Sequence, residues 1–259
     1  MLSSLRLSLL RCCVSLLVAA GVWQVSTPAR ALDVSVAVAA NFTVPMQRIA
    51  AEFERDTGHR AVLSFASTGR FYAQIRNGAP FDVLLAADER TPARLVEEGS
   101  AVAASRFTYA IGKLVLWSKN PALVDSQGEV LRNASFARIA LADPKVAPYG
   151  AAAVEAMTAM GVWEALQPRA VFGESIAQAF QFASTENAQL GFVALSQVYE
   201  DGRLKEGSAW VVPAPLYSPI RQDAVLLQRA AGSPAARALL AYLKSDKALA
   251  IIRAYGYGH

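Results

Sequence analysis

The sequence predicts an α/β protein of two lobes, with a ligand cleft between them. Short apolar runs alternate with segments of helical periodicity almost throughout the 259 residues, which is typical of sheets covered by helices on both faces. The rhythm breaks twice, at the long β run 107–117, which is interrupted at Gly112, and at the Pro-rich stretch 211–220, and we expect the chain to cross between the lobes near Gly112 and near Tyr217. A hydrophobic content of 54% with 18% charged residues supports a sizeable core and excludes a disordered chain.

Residues 1–31 have the layout of a secretory signal peptide. A basic start is followed by the apolar run 12–22 and by the small-x-small site Ala29-Arg30-Ala31, which predicts cleavage after Ala31. The apolar run is too short to anchor the chain across about 30 Å of hydrocarbon. A lipoprotein signal fits badly because both cysteines stand at the start of the apolar run instead of closing it. We therefore expect an exported protein.

Removal of this leader changes the expected charge and redox chemistry. Three of the 25 Lys and Arg residues and none of the 21 Asp and Glu residues lie in it, so the net charge falls from +4 to +1. No block of five like charges occurs, so neither nucleic acid nor a membrane surface is an expected partner. Both cysteines leave with the leader, and the exported protein is expected to fold without a disulfide.

The first lobe is predicted from alternating strands and helices within residues 32–112. Met46, Ile49, Ala50 and Phe53 share one helical face, and a glycine closes that segment. The predicted elements are strands 34–39, 61–65 and 81–86, the helix that ends at Gly58, a helix at 70–77, and a helix capped by Thr91-Pro92 that ends at Gly99.

The second lobe is predicted to span residues 113–217. The chain then returns to the first lobe over 218–259, which makes that lobe discontinuous. The predicted elements are strands 138–142, 170–172 and 190–195, helices 151–160 and 176–185, a returning strand at 224–227, and two terminal helices opened by Ser233-Pro234 and by Ser245. A cleft between such lobes is a natural small-molecule site, because α/β sheets bind ligands at the carboxyl ends of their strands.

Catalytic machinery is not visible in the sequence. A Ser-His-Asp or Cys-His site needs a histidine, and the two present are His59, expected in a surface turn, and the terminal His259. The phosphate-binding glycine loops, zinc motifs and nucleophile elbow of common enzymes do not occur. The carboxylate pairs 88–89 and 97–98 are expected to be solvated charges. We therefore predict that the protein is not an enzyme.

Short polar residues mark the turns where predicted strands lead into helices. These turns are Asn41 after the first strand, Ser67-Thr68-Gly69 after the second, Pro148-Tyr149-Gly150 before an Ala-rich helix, and Ser175 with Gln178 in a capping box. Each helix start presents free N–H donors and about half a positive charge. Starts that converge in one cleft would bind an anion without Lys or Arg. Taken singly, each side chain is also explained as a helix cap, Ser175 above all.

Several stretches resemble the molybdate-binding proteins of bacterial periplasmic uptake systems. The stretches are VAVAANF (36–42), FASTGRFYAQIRNGAPFDVLLAADE (65–89), RFTYAIGKLVLWS (106–118), APYG (147–150), LGFVAL (190–195) and DKALAIIRAYGY (246–257). They occur in order along nearly the whole exported chain. The resemblance implies the two-lobed type II periplasmic binding protein fold, with a tetrahedral oxyanion held in the cleft between the lobes.

The resemblance also implies which residues bind the anion. Asn41 would donate through its backbone N–H and its side-chain amide, and Thr68 would supply a hydroxyl and an N–H in place of a family Ser. Tyr149 would donate its phenolic O–H and a backbone N–H, and Ile176 a backbone N–H alone. Ser67, beside Thr68, is a further and weaker candidate.

Two positions depart from the family's pattern. Some members use a Tyr as a ligand where this chain has Ala194, and Tyr149 stands where those members have Ala. The chain therefore resembles the subgroup in which the Tyr of the Pro-Tyr-Gly turn binds the anion. Ala40 stands where a Ser or Thr can contribute, so one hydroxyl donor is absent there and Ala40 is a weaker candidate.

The leading hypothesis is a periplasmic protein that captures molybdate, and also tungstate, and delivers it to the membrane permease of an ABC transporter by lobe closure. We expect a monomer that needs no cofactor and holds the metal only as its oxyanion. One alternative is a binding protein for sulfate or another tetrahedral oxyanion. The others are a secreted hydrolase or transferase that uses Asp88 and Asp223, and a ligand-sensing module without a transport role.

Overall fold

The computed structural model describes residues 32–258, and the predicted signal peptide with its cleavage after Ala31 lies outside the described residues. Within that range the chain forms two five-stranded sheets packed against helices, together with a two-stranded ribbon. The predicted α/β class is therefore confirmed. No helix between residues 32 and 258 combines the length and the apolar character that a membrane crossing requires.

The elements are numbered in chain order. The strands are β1 (Asp33–Ala39), β2 (Arg60–Ala66), β3 (Val83–Leu85), β4 (Phe107–Gly112), β5 (Leu114–Ser118), β6 (Ile139–Ala142), β7 (Ala170–Gly173), β8 (Leu190–Ala194), β9 (Tyr199–Glu200), β10 (Arg203–Leu204), β11 (Ser208–Val211) and β12 (Ile220–Leu226). The helices are α1 (Thr43–Thr57), α2 (Thr68–Arg76), α3 (Arg90–Glu97), α4 (Val130–Asn133), α5 (Pro148–Ala159), α6 (Trp163–Leu166), α7 (Ile176–Ser184), α8 (Leu195–Val198), α9 (Pro234–Tyr242) and α10 (Asp246–Ala254). Single 3-10 turns lie at Ala40–Phe42, Ala103–Ser105, Gln167–Arg169, Ala214–Leu216 and Gln228–Ala230.

The first sheet has the strand order β2-β1-β3-β12-β4. β1 runs parallel to β2 and β3, and β12 returns antiparallel between β3 and β4. Val36 and Val38 of β1 are fully buried and share one core with Phe53 of α1 and Ile252 of α10. The alternate β1 residue Ala37 faces a second apolar cluster that contains Phe71 of α2. Neighbouring residues of a strand point to opposite faces of the sheet, and here both faces of β1 pack against helices. This is why β1 is apolar throughout its buried part.

The second sheet has the strand order β11-β5-β8-β6-β7. β6 runs parallel to β7 and β8, whereas β5 runs antiparallel to β8 and β11. Leu141 and Phe192 are fully buried and share a core with Met157 of α5. On the other face, Val193 and Trp117 pack in a smaller cluster. β12 and both terminal helices pack with the first sheet. The lobe boundaries at 112/113 and 217/218 stay a prediction.

Helix starts and ends follow local sequence signals. Gly58 ends α1 in the left-handed conformation, with φ of 73°, and its N–H donates to Glu54 O at 2.8 Å. Ser233 and Ser245 accept hydrogen bonds from backbone N–H groups at the starts of α9 and α10, so both predicted caps are confirmed.

The cap of α3 differs from the sequence prediction. Thr91 does not cap this helix, because its own N–H and hydroxyl both donate to the Asp88 carboxylate, the N–H at 2.7 Å. Asp88 therefore takes the capping role, and its negative charge suits the positive end of the helix. The third strand is also shorter than the predicted 81–86, because its pairing is confined to 83–85.

The starts of four segments lie at the carboxyl ends of parallel strands. The 3-10 turn at Ala40–Phe42 follows β1, and α2 begins two residues after β2. In the other lobe α5 and α7 follow β6 and β7. The helix predicted to begin at 151 begins at Pro148 instead, so Tyr149 lies in its first turn. This arrangement brings the predicted polar turns to the edges of the two sheets that face each other.

Gly112 ends β4 where the chain crosses to the second lobe, and its lack of a side chain allows a close approach. A Cβ at this position would lie 2.1 Å from Tyr149 Oη and 2.6 Å from Gln222 Nε2. Because both neighbours are buried side chains, they have little room to retreat. The crossing point and the start of α5 are therefore packed against one another.

We expect Gly112→Ala to lower the free energy of unfolding by about 1–3 kcal/mol, because the added methyl overpacks this contact. Urea denaturation followed by circular dichroism measures the change. Gly232→Ala is the matched control, since a Cβ there meets no atom within 4 Å and the change should stay within about 0.5 kcal/mol. Equal stabilities of the two variants would contradict the close contact.

Candidate functional site

A small buried cavity lies where the four segment starts meet. Its lining consists of Ala39, Ala40, Asn41, Ser67, Thr68, Ala87, Ala147, Pro148, Tyr149 and Ile176. The structure therefore brings together, from both lobes, all six residues that the resemblance implies as candidates for binding the anion. None of the lining side chains carries a charge. The cavity volume is about 10 Å³, which is about the room that one water molecule needs.

The two lobes are in contact around this cavity. The backbone N–H of Gly69 donates to Val146 O at 2.9 Å, which joins the start of α2 to the loop before α5. Close by, Arg70 of α2 pairs with Glu174 of the turn before α7. A tetrahedral oxyanion is larger than one water molecule, so its entry and exit require the lobes to part. The structure is thus a closed form of the cleft.

Ser67 lines the cavity with a buried hydroxyl that has no hydrogen-bond partner. It is the N-cap residue of α2, yet its hydroxyl accepts no capping hydrogen bond from the helix. The residue is only 4% exposed, and its buried Oγ has no hydrogen-bond partner. Leaving such a group unpaired costs about 1–3 kcal/mol, so an orphaned hydroxyl in a cavity indicates a missing ligand.

Thr68 has a different local role. Its Oγ1 accepts a hydrogen bond from the backbone N–H of Ala87 at 2.9 Å. Since this bond uses only a lone pair, the hydroxyl proton remains available to a ligand. The bond also ties the start of α2 to the end of β3, which holds the hydroxyl in place.

The Asn41 side chain is engaged within the protein. Its Nδ2 donates to Gln222 Oε1 at 2.8 Å and to Tyr257 Oη at 3.0 Å, which uses both amide hydrogens. The backbone carbonyl oxygen of Asn41 accepts from Ser196 Oγ at 2.8 Å. What Asn41 can still offer a ligand is its backbone N–H. The sequence therefore places Asn41 correctly at the cavity, but its amide serves as a buried link between elements.

Tyr149 lines the cavity and is fully buried, and its hydroxyl lies close to Gly112 at the end of β4. Gln222 Nε2 donates to Tyr149 Oη at 3.2 Å, so the phenolic proton is not used in that contact. Burial raises the pKa of the Tyr149 hydroxyl well above its usual value, and the nearby Tyr257 and Tyr109 hydroxyls add to the rise. The hydroxyl therefore remains a neutral donor at every physiological pH.

The remaining donors of the cavity are backbone N–H groups. The first turn of a helix leaves its N–H groups without partners in the same helix. No turn or loop hydrogen bond within residues 32–258 is donated by the backbone N–H of Asn41, Thr68, Tyr149 or Ile176. Ser175 accepts from Gln178 N at 3.4 Å and so acts as the cap that the sequence predicts for α7.

The two carboxylates considered for hydrolysis, Asp88 and Asp223, are committed to other contacts. Asp88 caps α3, and its half-buried position raises the pKa of the carboxyl. Asp223 is 3% exposed and bonded to Arg106 Nε at 2.6 Å and Thr108 Oγ1 at 2.7 Å. Neither residue lines the cavity. Across residues 32–258, no cluster of three or more His, Cys, Asp or Glu side chains is arranged to hold a metal ion. The arrangement can accept an anion through neutral donors.

Comparison with known proteins agrees with this geometry. A family model described as bacterial extracellular solute-binding protein matches residues 34–258. The chain belongs to this family. The two-lobed binding-protein fold expected from the sequence is thus confirmed, with the two sheets as its two lobes.

Relatives of this solute-binding protein cover nearly its whole length. Molybdate-binding protein ModA of Azotobacter vinelandii is 58% identical over 243 residues, which are 94% of this chain and 96% of the relative. Molybdate-binding protein ModA of Rhodobacter capsulatus is 54% identical over 91% of this chain and 92% of its own. The solved structure of the Azotobacter vinelandii periplasmic molybdate-binding protein has a TM-score of 0.85 at 43% identity, covering 87% of this chain and 99% of that one.

The solute-binding protein also contains site features that sequence reasoning missed. Gln222 holds the Asn41 and Tyr149 side chains, and Tyr257 and Ser196 complete the network behind the cavity. The available signal was a pair of polar residues, Gln222-Asp223, directly before the apolar and buried end of β12. Ala194 is fully buried in the second lobe's core and does not line the cavity.

Three buried tyrosines predict a loss of stability in alkali. Burial raises the pKa values of the Tyr109, Tyr149 and Tyr257 hydroxyls above their ordinary value of about 10. Their stabilising contribution is full below pH 10 and is lost as the pH rises further, because only the unfolded chain then releases the protons. The free energy of unfolding should fall by up to about 4 kcal/mol per pH unit from these three groups. Urea melts between pH 8 and 11 measure the slope.

Tyr109→Phe provides the comparison for this prediction. Removal of one of the three hydroxyls should make the slope shallower by about 1.4 kcal/mol per pH unit. An unchanged slope in the variant would show that the Tyr109 hydroxyl ionises as readily in the folded protein as in the unfolded chain.

Proposed function

We propose that this protein captures molybdate, and also tungstate, in the closed cleft, and that it works in the periplasm as the binding component of an ABC transporter. Ser67 carries the most weight, since its buried hydroxyl has no partner and lines a cavity without charged side chains. The relatives at 58% and 54% identity are named as molybdate-binding proteins, which supports the choice of anion.

The cavity offers a set of donors suited to a desolvated dianion. The backbone N–H groups of Asn41, Thr68, Tyr149 and Ile176 and the hydroxyls of Ser67, Thr68 and Tyr149 are the proposed donors. Hydrogen bonds to a charged acceptor are about twice as strong as neutral ones. Because no fixed positive charge lines the cavity, the anion is held without an ion pair and can leave when the lobes open. No cofactor is required.

Selectivity follows in part from the polarity of these groups. Hydrogen phosphate carries an O–H that must find an acceptor, and the proposed contacts are all donors. An unpaired O–H in a buried site costs about 1–3 kcal/mol, which disfavours the protonated anion. Sulfate lacks such a proton, so we expect the size of the closed cavity to separate it from molybdate and tungstate.

Lobe closure is the proposed link to transport. The anion satisfies donors from both lobes at once, so it stabilises the closed form over the open one. Docking on the membrane permease would favour the open form and release the anion. We propose a monomer that is exported by its signal peptide and binds its ligand without chemical change. The engagement of Asp88 with α3 and of Asp223 with Arg106 supports binding over hydrolysis.

Isothermal titration of the purified protein with molybdate, tungstate, sulfate and phosphate tests the proposed function. We expect one-to-one binding of the first two anions and no heat with phosphate. Tight binding of sulfate in their place would keep the site and change the substrate. The absence of binding heat with all four anions would contradict the proposal and leave the cavity as a place where helix starts are buried together.

Ser67→Ala should weaken molybdate binding by about tenfold to a hundredfold, because it removes a hydrogen bond to a charged group worth about 1.5–3 kcal/mol. Since the hydroxyl has no partner in the protein, its removal also relieves the cost of an unpaired buried group, and the free energy of unfolding without anion should stay unchanged or rise by up to about 1–3 kcal/mol. Titration calorimetry and urea melts measure the two quantities.

Ser245→Ala is the matched control for this variant. The Ser245 hydroxyl caps α10 and lies outside the cavity lining, so its removal should cost about 1 kcal/mol of stability and leave the affinity intact. The proposal for Ser67 fails if the two variants have the same affinity.

Tyr149→Phe should weaken molybdate binding by about 1–3 kcal/mol, because the contact with Gln222 leaves the buried phenolic proton for the anion. Tyr242→Phe is the control, since its hydroxyl bonds Asp56 on the first lobe's outer surface. A dissociation constant unaffected by Tyr149→Phe would remove this hydroxyl from the anion's contacts.

A further inference from the structure

Gln222 is a fully buried polar residue that stands behind the cavity without lining it. It lies on β12, the strand that returns to the first lobe, and the pairing of β12 with β4 shifts register between Gln222 and Asp223. Such an irregularity re-aims side chains locally and is common beside functional sites. Asp223 bonds Arg106 on one side of the strand, while the Gln222 side chain points to Asn41 at the end of β1.

The Gln222 amide joins residues of both lobes. Its Oε1 accepts from Asn41 Nδ2 at 2.8 Å and from Tyr109 Oη at 3.0 Å. Its Nε2 donates to Tyr149 Oη at 3.2 Å, and Tyr149 belongs to the second lobe. One side chain therefore holds two predicted ligand-binding residues in a single arrangement, and the bond to Tyr149 crosses the cleft.

The polarity of these bonds decides what the site can offer. Because the nitrogen of Gln222 faces Tyr149, the phenolic oxygen is an acceptor in that contact, and its proton can turn to the Tyr257 hydroxyl or to an anion in the cavity. The oxygen of Gln222 likewise occupies one amide hydrogen of Asn41, and Tyr257 occupies the other. Asn41 is thus immobilised, and its backbone N–H has a fixed position at the end of β1. Both effects leave donors, and no added acceptor, for the cavity.

From this arrangement we infer that Gln222 is the positioning residue that keeps the anion site donor-only, by holding Asn41 and Tyr149 across the closed cleft so that the Tyr149 O–H is aimed at the anion. This inference rests on the proposed function. A carboxylate at this position would accept the phenolic proton and withdraw it from the anion. A neutral amide is the group of this size that can both accept from Asn41 and donate to Tyr149.

A double-mutant cycle between Gln222 and Tyr149 tests the inference. Gln222→Met keeps the length of the side chain and removes both hydrogen-bonding atoms, and Gln222→Glu reverses the polarity toward Tyr149. Each is combined with Tyr149→Phe, and molybdate affinity is measured by titration calorimetry. Urea melts of every variant establish which of them fold.

We expect Tyr149→Phe to lower the affinity about tenfold or more in the original protein and less than about threefold when Gln222 is Met or Glu, because the hydroxyl is no longer aimed. The same loss in all backgrounds would overturn the inference. If Gln222→Glu does not fold, the neutral Gln222→Met cycle gives the answer alone. Ser67→Ala is the control and should cost the same factor in each background, since Ser67 makes no bond to Gln222.

Specificity provides a second readout that a merely structural residue would not change. Excess phosphate should not displace molybdate from the unaltered protein, but it should compete with molybdate in Gln222→Met, where the Tyr149 oxygen is free to accept the phosphate O–H. Weaker molybdate binding without any competition by phosphate would overturn the specificity role. Absence of molybdate binding by the unaltered protein would instead refute the proposed function, so the two failures are distinct.

Discussion

The first-turn N–H groups of helices from both lobes are buried around one cavity. The packing of the cleft depends on how these donors find hydrogen-bond partners. Helix starts leave donors without partners, and burial of an unpaired donor costs about 1–3 kcal/mol. Here the starts after β1, β2, β6 and β7 meet around one cavity, with the orphaned Ser67 hydroxyl beside them. Closure without a ligand therefore carries a penalty, and in the proposed function the bound anion removes it. Binding and closure are coupled through the same atoms.

A buried network of uncharged amide and hydroxyl groups lies next to the uncharged cavity lining. Gln222, Asn41, Tyr109, Tyr149 and Tyr257 satisfy one another with amide and hydroxyl groups, and burial raises the pKa values of all three phenols. A network of this kind orders its members because each has a defined donor and acceptor role. It also spans the crossing strands, where Gly112 allows Tyr149 to approach.

Much of this could be read from the sequence because it is local. The apolar face of α1 with its closing Gly58, the caps Ser233 and Ser245, and the polar turns at Asn41, Thr68 and Tyr149 all depend on residues a few positions apart. Their convergence was predictable as well, since carboxyl ends of parallel strands share one edge of a sheet. The cap of α3 was not, because Thr91 and Asp88 are both good capping residues and only the backbone path chooses between them.

Short segments of the sequence are enough to establish the α/β class and the set of turns that could bind an anion, because periodicity and helix-start chemistry are local properties. The export signal stays a prediction. Tertiary structure decided which hydroxyls are free. Ser67 and Ser175 are both serines at helix starts, yet one is unpaired in a cavity and the other caps α7. The role of Gln222 likewise exists only once β12 has returned between β3 and β4 and lies against Asn41, which is 181 positions away in the chain. Hydrogen-bond partners so distant in sequence are set by packing, and no local pattern records them.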